Sequence, residues 1–198
     1  MDDTKLTRQQ WETILTAICQ EPSSVGDFHV KKLYIGRNNL SSIDLGLLAN
    51  AACRLEEVDL CYTQLTGQQV EEVMTAIYER QSWLKDMNVS GIDLSALDHC
   101  LLARAVTWLL EVKMVDTQLT RQQVDRILTS ISMEMSRIGK LYIHFNNIST
   151  VKPSLMARAV SRLEGVGLGG TQLIVEQAAV ILTYISEDHS CLKKLNIS

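Results

Sequence analysis

Along this chain the hydrophobic pattern keeps changing its period. Leu55, Val58, Leu60 and Leu65 stand apart among polar neighbours, and Val58 and Leu60, two residues apart, share one face of a short strand. A few residues on, Val70, Val73, Met74 and Ile77 fall at helical spacing within Gln68 to Tyr78. Between the two patterns, Thr66-x-x-Gln69 is a capping box. Its threonine oxygen takes a free helical N–H, and its glutamine reaches back to the threonine. The pattern predicts a strand, a turn and a capped helix.

That unit recurs. Leu65-Thr66-Gly67-Gln68-Gln69-Val70 returns 54 residues later as Leu119-Thr120-Arg121-Gln122-Gln123-Val124, and a worn copy, Leu173-Ile174-Val175-Glu176-Gln177, follows after another 54. An earlier copy, Leu6-Thr7-Arg8-Gln9-Gln10-Trp11, lies 59 residues upstream, which places a five-residue insertion within Glu21 to His29. Each unit divides in two. A frame L-x-x-L-x-L-x-x-[NT]-x-L starts at Val30, Leu55, Leu84, Leu109, Ile138, Leu163 and Leu192, at steps alternating between 25 and 29 residues. This is the frame of a leucine-rich repeat. Positions 4 and 6 point inward, while positions 3, 5, 7 and 8 point to solvent. No unit buries its apolar face alone, so neighbours must stack into one core. The expectation is an α/β solenoid, a right-handed horseshoe segment, with parallel strands on its concave face and helices on its convex face.

Long repeats, a helix in each and two alternating repeat types make the chain similar to the ribonuclease-inhibitor-like class of leucine-rich repeat proteins. That class includes ribonuclease inhibitor, the sensor ends of NACHT-type innate immune receptors and the activator of the Ran GTPase. The resemblance covers nearly the whole chain. The 25-residue step is shorter than the class usually shows, so the helices after Asn38, Ile92 and Asn146 should be short. One domain is expected over 1–198: a half-repeat with a cap helix in 1–29, six repeats over 30–191 and an incomplete seventh over 192–198. Leu195 and Ile197 have no following helix to cover them, which predicts a fragment or truncated product whose uncapped end self-associates.

Composition narrows the function. Nineteen Lys and Arg against 23 Asp and Glu give a net charge of −4, without the basic footprint of a nucleic-acid binder. No apolar run reaches the roughly eighteen residues of a membrane span, and Met1-Asp2-Asp3-Thr4-Lys5 leads into no signal-peptide core. Five cysteines without a C-x-x-C predict reduced thiols and a cytoplasmic protein.

Little of the sequence points to catalysis. Gly165-Val166-Gly167-Leu168-Gly169-Gly170 satisfies G-x-G-x-x-G, but the frame sets Gly165 and Gly167 on a strand, where they read as lost side chains rather than a phosphate cradle. His29, His99, His144 and His189 lack ligand spacing. Cys61 has Asp59 and Asp86 as frame neighbours, which raise a thiol pKa. Neither catalytic residues, a metal nor a cofactor is expected. Asn38, Asn146, Thr63, Thr117 and Thr171 read as turn residues bonding backbone, and Trp11, Trp83 and Trp108 as packing between repeats.

The outward positions carry the clue to function. In strand order they hold Lys32, Tyr34, Gly36 and Arg37; Glu57, Asp59, Cys61 and Tyr62; Asp86, Asn88, Ser90 and Gly91; Glu111, Lys113, Val115 and Asp116; Lys140, Tyr142, His144 and Phe145; then four glycines. Glu57, Asp59, Asp86, Glu111 and Asp116 make an acidic belt that suits a basic protein partner. The aromatics Tyr34, Tyr62, Tyr142 and Phe145 are the residue types that anchor interfaces. The reading is a non-catalytic protein-recognition module. By resemblance it belongs to an innate-immune or signalling receptor. The alternative is an enzyme regulator, either a GTPase activator of the Ran-activator kind or an inhibitor of the ribonuclease-inhibitor kind.

Overall fold

A computed structural model describes residues 6–20, 30–80, 82–133, 136–186 and 190–197. Strands and helices alternate throughout: α1 (Arg8–Gln20), β1 (Lys32–Tyr34), α2 (Leu45–Cys53), β2 (Glu57–Asp59), α3 (Gly67–Glu79), β3 (Asp86–Asn88), α4 (His99–Trp108), β4 (Glu111–Lys113), α5 (Arg121–Ile131), β5 (Lys140–Tyr142), α6 (Pro153–Arg162), β6 (Gly165–Gly167), α7 (Val175–Ile185) and β7 (Lys194–Asn196). The strands pair in chain order as one parallel sheet, β1-β2-β3-β4-β5-β6-β7. Each pairing joins the same frame positions, as in Lys32↔Glu57, Glu57↔Asp86 and Asp86↔Glu111. The molecule is an α/β leucine-rich repeat solenoid with strands on one face and helices on the other.

The inward positions make one continuous core. Val58, Leu60, Met87, Val89, Val112, Met114, Leu141 and Ile143, at frame positions 4 and 6, are all nearly or fully buried. They meet the inner faces of the helices, for example Val73, Met74 and Ile77 of α3 and Ile127, Leu128 and Ile131 of α5. The helices after Asn38, Ile92 and Asn146 have 9, 10 and 10 residues, against 13, 11 and 11 for α3, α5 and α7.

Turn chemistry locks each unit. Thr63, Thr117 and Thr171 donate their hydroxyls to Leu60, Met114 and Leu168 carbonyls. Asn38 donates to the Ile35 and Gly36 carbonyls. Asn146 reaches across to the preceding unit, donating to Met114 O at 2.7 Å and accepting from Leu119 N–H at 2.9 Å. The capping box at Thr66-x-x-Gln69 forms before α3, its copy at Thr120-x-x-Gln123 forms before α5, and Thr7 and Gln10 exchange the same two bonds before α1.

Trp83 departs from the sequence reading. Trp11 is buried and Trp108 packs half-buried beneath Arg137, but Trp83 is 57% exposed, because it precedes the frame and faces away from the core. The insertion within Glu21 to His29, and His29 and His189 themselves, lie outside the described residues.

Candidate functional site

The residues at frame positions 3, 5, 7 and 8 converge on the strand face because in-register parallel pairing stacks equal positions in rows. The row at position 3 runs Lys32, Glu57, Asp86, Glu111, Lys140. The row at position 5 runs Tyr34, Asp59, Asn88, Lys113, Tyr142. Positions 3 and 5 lie on the paired strands themselves, and positions 7 and 8 lie in the turns that close them.

Most of its charge is already matched. Lys32 Nζ lies 2.6 Å from Glu57, which also accepts from Tyr34 Oη at 2.8 Å. Glu111 sits between Lys140, at 2.9 Å, and Lys113, at 3.3 Å. Asp59 accepts from Asn88 Nδ2 at 3.1 Å and from the Cys61 N–H at 2.9 Å. Of the acidic belt read from the sequence, Glu57 and Glu111 are thus neutralised by lysines, because the position 3 row places Lys32 and Lys140 at either end of Glu57, Asp86 and Glu111. Hydrogen bonds from Lys32 and Tyr34 hold the Glu57 carboxyl below its ordinary range. Burial opposes the same effect at Glu111, yet the Lys140 and Lys113 ammoniums prevail and hold it low.

Asp86 differs. Its carboxylate has no hydrogen-bond or ion-pair partner among the described residues, and burial, then Glu111 and Glu57, push its pKa up against the weaker opposing pull of Lys140 and Lys32. It lies in a shallow hollow of about 230 Å³ lined by Glu57, Val58, Asp59, Asp86, Met87, Asn88, Glu111 and Lys113. The hollow offers a carboxylate without an ion-pair partner among the described residues, on a floor made by the backbone of β2 and β3, whose Val58 and Met87 side chains turn into the core.

Two strands from Asp86, β5 carries a layer of rings. Tyr142 and His144 stack with centroids 6.3 Å apart and planes 9° apart. His144 Nδ1 accepts from the Gly169 N–H at 2.9 Å, so the neutral ring carries its proton on Nε2. A Cβ on Gly167 would come within 2.1 Å of His144 Nε2 and 2.8 Å of Tyr142 Cδ1. Gly167 of β6 is therefore a seat for the rings of β5, which the reading as a lost side chain missed, while Gly165 leaves room for a Cβ. The signal was in the sequence: four glycines in one frame beside Lys140, Tyr142, His144 and Phe145 in the frame before.

Cys61 is held as a thiol. Burial, then Asp59, pushes its pKa up to about 11. Among the described residues no group of three His, Cys, Asp or Glu side chains is placed to hold a metal, and no helix is long and apolar enough to cross a membrane.

The strand face thus defines the class of protein, a leucine-rich repeat solenoid presenting a patterned polar and aromatic surface. No protein-family model matches the chain, and no curated protein sequence matches it. Among solved structures it is similar to the leucine-rich repeat-containing protein LegL7 from Legionella pneumophila, with 15% identity over 91% of this chain and 69% of that one, at a TM-score of 0.45.

Proposed function

We propose that this chain is a non-catalytic recognition module that binds a protein partner on its strand face. One observation carries the reading: Asp86, without an ion-pair partner among the described residues, opens into a hollow on the same strand face as the supported rings of Tyr142 and His144, two strands away. A basic side chain entering the hollow would find a carboxylate that Lys140 and Lys32 attract from a distance but that no described residue pairs at contact, and the rings on the same face supply contact area at low entropic cost. Resemblance to the ribonuclease-inhibitor-like class supports a cytoplasmic setting and a part in an innate-immune or signalling receptor. Regulation of an enzyme, by GTPase activation or ribonuclease inhibition, is the second use that the resemblance supports.

The test is affinity capture from a cell extract with wild type and with Asp86→Lys/Tyr142→Ala, each checked by thermal melting. Loss of a captured protein by the folded variant supports the strand face. Unchanged capture by the variant places binding elsewhere. Small GTPases and basic ribonucleases, tested directly, separate the regulatory uses from plain scaffolding.

A further inference from the structure

We infer that the residues closing each strand form a docking track for one extended polypeptide segment, whose alternate side chains run acidic, apolar, basic, apolar. This rests on the strand face being the recognition surface.

The track is frame position 8: Arg37, Tyr62, Gly91, Asp116, Phe145 and Gly170. All six have left-handed backbone, with φ between 54° and 71°. The turn demands that conformation, and glycine adopts it at least cost. Tyr62 and Phe145 are bulky residues in it, yet remain 46% and 66% exposed. Each leans on the glycine of the next strand, where a Cβ would come within 2.1 Å of the Tyr62 ring at Gly91 and 2.5 Å of the Phe145 ring at Gly170. The rings are thus propped from one side and open to solvent on the other. Strained, supported and exposed side chains are what a binding surface retains.

The charges of the track are unspent. Arg37 and Asp116 are exposed, and their side chains make no ion pair or hydrogen bond among the described residues, whereas Glu57 and Glu111 are each matched by lysine. Spacing then selects the occupant. Strands lie about 4.8 Å apart, so from Arg37 the track reaches Tyr62 after one strand, Asp116 after three and Phe145 after four, about 19 Å in all. An extended chain presents side chains on one side every 6.8 Å or so, and four of them span about 20 Å. Acidic, apolar, basic and apolar side chains at alternate positions therefore meet Arg37, Tyr62, Asp116 and Phe145 in order. A nucleic-acid backbone, carrying a single sign of charge, would meet Asp116 with repulsion.

Fluorescence anisotropy at low salt tests this with a labelled peptide Glu-Ser-Leu-Ser-Arg-Ser-Leu, the same peptide in reversed order, and the charge-exchanged Arg-Ser-Leu-Ser-Glu-Ser-Leu. One of the first two should bind saturably and at least about fivefold tighter than the exchanged peptide. Arg37→Glu with Asp116→Arg should invert that preference. Tyr62→Gly with Phe145→Gly should abolish binding without lowering the melting temperature, since glycine suits this backbone. Saturable binding by neither order, equal binding of the exchanged peptide, or full binding by the glycine variant would overturn the track. If the peptides fail while Asp86→Lys/Tyr142→Ala still loses its captured partner, only the track falls. If that capture is also unaffected, the strand-face reading falls with it.

Discussion

At the residue scale, the frame foretells which side chains face outward but not how they spend their charge. Asp86 shows the difference. Because burial and its carboxylate neighbours raise its pKa, the folded state holds this proton more tightly than the unfolded chain does. Its ionised form therefore opposes folding, and stability falls as pH rises through the folded pKa. Asp86→Asn should raise the melting temperature at neutral pH, with the gain shrinking as the solution is acidified and the wild-type carboxyl protonates. Glu57 has the opposite sign: its lowered pKa contributes stability that is full at neutral pH and lost as pH falls below the usual glutamate range. Glu57→Gln should therefore melt lower than wild type at neutral pH, and the two should converge in acid. Carboxylates flanked by lysines at the outward positions were visible in the sequence. Which lysine reaches which carboxylate depends on register and side-chain lean, and these arise only when the strands pair.

At the element scale, the same separation holds for the helix starts. Thr66-x-x-Gln69 and Thr120-x-x-Gln123 were legible as capping boxes, but half of the glutamine's role is non-local. Gln69 Nε2 donates to the Leu40 and Ile43 carbonyls, Gln123 to Leu94 and Leu97, and Gln177 to Ile148, Ser149 and Val151. All three glutamines are buried, so each bolts its helix to the turn of the preceding unit. Gln123→Ala should cost about 2–4 kcal/mol, because two buried carbonyls lose their donor as well as the cap. Gln10→Ala at the exposed start of α1, where the glutamine's bonds are local to Thr7, should cost no more than about 1 kcal/mol. Chemical denaturation of both variants checks the contrast. The short helices use other devices, Asp44 and Asp98 as caps and Pro153 in the first turn. The frame gives no sign of these because they lie in its variable segment. Gly167→Ala tests the ring seat of β6: displacing His144 breaks its bond from Gly169 and should cost about 1 kcal/mol.

At the scale of the whole molecule, each unit packs on its neighbours in chain order, so stability is shared along the array and the strand face is a nearly continuous surface. Its two edge strands carry lysine, Lys32 on β1 and Lys194 on β7, the residue type that discourages edge-to-edge pairing. Lys31 and Lys193 stand just before these strands. Leu182 of α7 is 56% exposed, although its repeat equivalents Met74 and Leu128 are buried. We expect self-association through this end to be weak and sensitive to Leu182→Glu, which light scattering over a range of concentrations would register. The recognition surface is a separate matter, and amide hydrogen exchange with and without a captured protein locates it directly. Protection should fall on residues 86–91, 113–117 and 140–147, at the strands and their closing turns, while α3 and α5 exchange as in the free chain. Protection confined to the helices, or to residues 192–197 at the sheet edge, would contradict a strand-face recognition module.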